Sequence, residues 1–145
     1  MADTPRPWAI LQATQARLQT IATAAGFRTD LGADVRLDKQ EFLAGDPDRI
    51  ILYAGSTVRP EDARTRAERG FDLIAEIYVS TSHADAQERI VAAAEDVEDV
   101  LETFLPLPDA LPLSFEECAF LDGPDGVEAW VAQIMFSTRF RRGRA

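Results

Sequence analysis

An α+β two-layer sandwich is the fold this chain of 145 residues predicts: a mostly antiparallel sheet of about five strands with two helices on one face, in the order α-β-β-β-α-β-β. Three observations carry the reading. Two stretches repeat apolar residues at helical spacing, several shorter ones alternate at strand spacing, and the strands come in pairs joined by turns instead of alternating singly with helices. With 46% hydrophobic residues the chain has apolar mass for one core, so it is taken as one domain over 1–145.

The elements follow in order. Pro5 and Pro7 precede Trp8, Leu11, Leu18, Ile21, Ala22 and Ala25 at helical spacing, predicting an amphipathic helix of about five turns that Gly26 ends. After a turn at Phe27–Gly32, Ala33 to Leu37 predicts a short strand, and Asp38 to Arg49, charged and weakly periodic, a loop. Ile50 to Ala54 and Phe71 to Thr81 predict the second and third strands. The sixteen residues Gly55 to Gly70 between them carry little apolar content, and the expectation is a long hairpin arm, mobile in the free chain. Ser82 or Asp85 is positioned to cap a second helix, in which Ile90, Ala94, Val97, Leu101 and Phe104 repeat and Glu95, Asp96, Glu98, Asp99 and Glu102 take largely the outer faces. Pro106, Pro108 and Pro112 stop it, and two further strands, about Phe115–Leu121 and Val127–Arg141, flank a turn at Gly123-Pro124-Asp125-Gly126. Residues 143–145 are expected to be a disordered tail.

Composition excludes several functions. The formal net charge of −10 argues against phosphate-backbone binding, and no apolar run is long enough for a membrane helix, so a soluble, unsecreted protein is expected. One cysteine, Cys118, and one histidine, His83, leave no disulfide and no Cys/His zinc site within the chain, and Cys118 reads as a small buried hydrophobe. Ser82, His83 and Asp85 adjoin too closely to form a relay. Glu116/Glu117 and Asp122/Asp125 are paired carboxylates that suit solvation and turn formation better than metal or acid–base work, and the glycine turn leads into no helix that would cradle a phosphate. No catalytic, metal or cofactor residues are assigned, and an enzyme is not expected.

Charge is instead segregated. From His83 to Glu128 thirteen acids face one base, Arg89, whereas the last seven residues carry Arg139, Arg141, Arg142 and Arg144 and no acid. Complementary patches of this kind steer subunits together head to tail. The long last strand ending in these arginines reads as an edge that meets something outside the chain. The candidate interface residues are therefore Arg139, Arg141 and Arg142 together with the arm residues Arg59, Arg64, Arg66, Arg69, Glu61, Asp62 and Glu68.

Gly26-Phe27-Arg28-Thr29-Asp30-Leu31-Gly32, Phe120-Leu121-Asp122-Gly123-Pro124-Asp125-Gly126 and the terminal stretch Val131 to Arg142 resemble the tail-terminator, or tail-completion, proteins of bacteriophages and prophages. The resemblance spans nearly the whole chain in element order. It implies a non-enzymatic virion tail component, present in the host cytoplasm during assembly, that is monomeric when free and forms a ring, six copies in the family, on the head-proximal end of the tail tube. Its implied partners are its own copies, the tail-tube protein and head-tail connector proteins, with no sequence recognition of nucleic acid and no membrane. Alternatives are another connector or tail-tube-like protein, a monomeric module that binds a strand by β-augmentation, and a small carboxylate enzyme.

Overall fold

The computed structural model describes residues 3–39, 41–43, 45–124 and 126–142; Asp125, Arg144 and the tail at 143–145 lie outside them. The elements run α1 (Arg6–Leu18), β1 (Val35–Arg36), β2 (Arg49–Val58), β3 (Glu68–Ser80), α2 (Ala86–Leu101), β4 (Ser114–Asp122) and β5 (Ala129–Arg141). This is the expected α-β-β-β-α-β-β order. The strands form one five-stranded sheet in the spatial order β1-β2-β3-β5-β4, antiparallel except for the short β1, which pairs parallel with β2.

Both helices pack on one sheet face. Alternate residues of the strands, among them Ile50 and Leu52, Leu73, Ala75 and Ile77, and Ala132, Ile134 and Phe136, form a single core with Ile10, Leu11 and Leu18 of α1 and Ile90, Val97 and Leu101 of α2. Each of these large side chains contributes about 1.5–3 kcal/mol by leaving water. The opposite face carries Ile51 and Tyr53, Ile74, Glu76 and Tyr78, and Val131, Gln133 and Met135. The irregular segment after β1 lies over part of it, with the Phe42 ring 5.4 Å from Tyr78 and the Lys39 ammonium 5.1 Å from Tyr53.

Four expectations are corrected. The first helix stops at Leu18 after 13 residues. The carbonyl of Ile21, which a continued helix would give to Ala25, instead accepts the Gly32 N–H at 2.9 Å, and Ala25 bonds Ala22. Gly32 must be glycine for this: a Cβ there would stand 2.6–2.8 Å from the carbonyl oxygens of Ile21, Gln19 and Leu18. Gly26, left-handed at φ 95°, ends a 3-10 turn at Thr23–Ala25, not the helix.

The stretch 55–70 is strand at both ends. β2 continues through a bulge near Gly55 to Val58, and β3 begins at Glu68, so the connecting loop is 59–67. Ladder hydrogen bonds require backbone alone, and the exposed side chains from Ala54 to Val58 hid the pairing from a reading based on apolar alternation.

β5 is not an edge. It lies between β3 and β4, pairing Glu68↔Arg141 through Ser80↔Ala129 on one side. On the other side β4 covers its first part, and Ala110 and Leu111 of the proline-rich linker cover its end, where the Leu111 N–H donates to the Arg139 carbonyl at 2.9 Å. Finally, Asp96 is fully buried, not on an outer face. It accepts from the Arg28 and Thr29 backbone N–H groups at 3.1 and 2.8 Å, from the Thr29 hydroxyl at 2.7 Å and from the Arg28 guanidinium at 3.0 Å. Asp85 stands at the N-cap of α2, just before its first residue, without a capping hydrogen bond from its side chain.

Candidate assembly surface

At the end of the sheet where β2 turns into β3 and β5 finishes, the residues from 59–69 and 139–142 converge. Seven of these are arginines and three are acids, in a chain whose net charge is −10. The pairing of β3 with β5 brings them together, since Glu68 is opposite Arg141 and Arg69 opposite Phe140.

Arg139 has its partners inside its own chain. Its guanidinium lies 2.9 Å from Asp62 and 3.2 Å from Glu68. The hydrogen bond from Arg139 holds the Asp62 carboxyl below its ordinary range, and Asp62 and then Glu68 push the Arg139 guanidinium up in return. The second Glu68 oxygen accepts the Arg64 backbone N–H at 2.9 Å, and the Arg142 N–H donates to the Ala67 carbonyl at 2.7 Å. Arg69 also turns inward, its guanidinium donating to the Glu68 carbonyl at 2.9 Å and to that of Arg66. The loop 59–67 is therefore pinned to the end of β5.

Of the candidate interface residues, Asp62, Arg64, Glu68, Arg139 and Arg141 line one cavity of 460 Å³ with Asp109, Leu111 and Phe140. Asp109 is held by Arg6 at 2.7 Å. Neither Arg64 nor Arg141 has a carboxylate within ion-pair distance among the described residues. Arg59, Glu61, Arg66, Arg69 and Arg142 lie outside the cavity lining.

A contrasting surface lies on the α2 and β4 flank. Burial raises the Glu98 carboxyl above its usual range, and Glu95, Glu102 and Asp99 add to the shift. Cys118, half-buried against the core, has its thiol raised by burial and then by Glu98, Glu95 and Glu117, the opposite of what a reactive thiolate needs.

Two polar features escaped the sequence. On the open sheet face the nearly buried Glu76 accepts hydrogen bonds from the Tyr53 hydroxyl at 2.9 Å, the Gln133 amide at 2.8 Å and the Tyr78 hydroxyl, joining β2, β3 and β5. The alternation of β3 placed Glu76 on that face but could not show that two tyrosines and a glutamine from three strands meet there. His83 lines an 890 Å³ cleft near the start of α2, with Arg89 paired to Asp48 at 3.0 Å and Arg36 to Asp34 at 2.7 Å. Among the described residues no three His, Cys, Asp or Glu side chains stand where they could share a metal ion, and no helix is long and apolar enough to cross a membrane.

No protein-family model and no curated protein matches the chain. Among solved structures, a chain of the "Virion of native gene transfer agent (GTA) particle" superimposes with a TM-score of 0.60 at 15% identity, over 94% of this chain and 95% of that one. The likeness is one of fold along essentially the whole length.

Proposed function

We propose that this chain is a non-enzymatic structural subunit of a phage-like particle, which self-associates into a ring on the head-proximal end of a tail tube, ends tube growth and offers a surface for head joining. The observation that carries the reading is the end-to-end fold likeness to a chain of a virion particle. Charge supports it: an arginine-rich sheet end and an acidic helix flank occupy separate places on one molecule, as a heterologous, ring-closing contact requires.

Sedimentation velocity over a wide concentration range, with and without isolated tail tubes, tests the proposal. Closed oligomers at high concentration or on tubes are expected, and a chain that stays monomeric under every condition overturns it. One observation favours a second reading. Among the described residues the outer edge of β4 is unpaired, and the strand carries exposed Phe120 and Leu121, so a peptide strand could add there as in β-augmentation. That module would form one-to-one complexes and no closed ring.

A further inference from the structure

We propose that the 460 Å³ cavity receives the strand end Phe120-Leu121-Asp122 of a second copy of this chain, with Arg64 and Arg141 meeting the incoming carboxylate. The inference rests on the self-association reading and names its contact.

The cavity supplies two kinds of surface. Arg64 and Arg141 present guanidinium groups with no carboxylate in ion-pair range among the described residues, while Leu111, 55% exposed, and Phe140 supply apolar wall. A fitting guest carries a carboxylate beside large apolar side chains. Arg139 is a different case, because Asp62 and Glu68 already satisfy it. It acts as a positioning residue: it holds Glu68, whose other oxygen holds the Arg64 backbone N–H.

Phe120 and Leu121 are consecutive, 48% and 42% exposed, and Asp122 follows them directly. This combination lies at the far end of the sheet. Asp122 pairs with Trp130 at the start of β5, whereas the cavity is built around Arg139–Arg141 at its finish. At roughly 3.3 Å per residue the two are separated by about 35 Å of strand. A chain therefore cannot fill its own cavity, and only another copy can. Each copy then offers one cavity and one strand end, so the contact repeats from subunit to subunit.

The test uses two single variants of the full chain, Asp122→Arg and Arg141→Asp, in the sedimentation experiment. Each alone should need about tenfold or more higher concentration to assemble, the loss expected when charge complementarity becomes repulsion at one contact. Mixed in equal amounts they should recover assembly, because the unaltered Asp122 meets the unaltered Arg141 and the two reversed groups meet each other. Leu121→Gln, which keeps every charge, should also weaken assembly, and circular dichroism identifies any variant that fails to fold. Wild-type-like assembly by folded Asp122→Arg and Leu121→Gln, or a mixture no better than its components, overturns this contact while leaving ring formation standing. A wild-type chain that never oligomerises removes both.

Discussion

Asp96 shows how one residue can organise a loop at a distance in sequence. Its carboxylate is fully buried on α2 and collects four hydrogen bonds from Arg28 and Thr29, fixing the turn that leads from the first helix into the sheet. Replacing it with alanine leaves two backbone N–H groups and a hydroxyl without their acceptor. Removal of a buried acceptor with these partners costs about 2–4 kcal/mol. Urea denaturation of Asp96→Ala should show a loss of this size, whereas Asp99→Ala, whose partner is the exposed side of Arg28, should lose less than about 1 kcal/mol. Helical periodicity could not separate these neighbours, since Glu95, Asp96, Glu98 and Asp99 run together as an acidic stretch. What distinguishes Asp96 is a partner loop 67 residues away.

Among the elements, β3 is held to its neighbours on the open face by Glu76, Tyr53, Tyr78 and Gln133. Burial and then the Glu76 carboxylate push the Tyr53 hydroxyl up to about 12 and Tyr78 in the same direction. A raised pKa in the folded chain means that the protonated phenols favour folding. Their stabilisation is fully present below about 10, the unfolded value, and is lost as pH rises through the folded values. Unfolding midpoints should accordingly fall between about pH 10 and 12, and Tyr53→Phe should reduce that fall; an unchanged pH profile in the variant would count against the network. The strands themselves were legible where side chains alternate in and out, as from Phe71 to Val79. They were not legible from Gly55 to Val58, where backbone pairing continues under exposed side chains, nor was the helix end at Leu18, beyond which the Ile21 carbonyl accepts the Gly32 N–H from a later turn.

For the whole molecule, layer composition and element order were readable because they depend on periodicity and turn residues, both local. Sheet order was not. Placing β5 between β3 and β4 needs pairing across about fifty to seventy residues, from Ser80↔Ala129 to Glu68↔Arg141, and without it the last strand reads as an edge. The arginine cluster was visible as composition, but the division between the internally paired Arg139 and the unpaired Arg64 and Arg141 required geometry. Self-association through ion pairs carries a salt signature. At about 0.15 M salt the Debye length is about 8 Å, so repulsion between the net charges of separate copies is already screened and the remaining effect of salt falls on the contact. Assembly should weaken as salt rises above that level, by light scattering at fixed protein concentration; assembly that strengthens instead would point to an apolar contact.

The central place of β5 also sets an order of events during synthesis. β3 waits for a partner that leaves the ribosome about fifty residues later, so β4 stays unconnected to the rest of the sheet until β5 has emerged. The emergence of β5 joins those parts and completes the arginine cavity in the same step. A nascent chain without β5 therefore has no finished cavity at this end of the sheet.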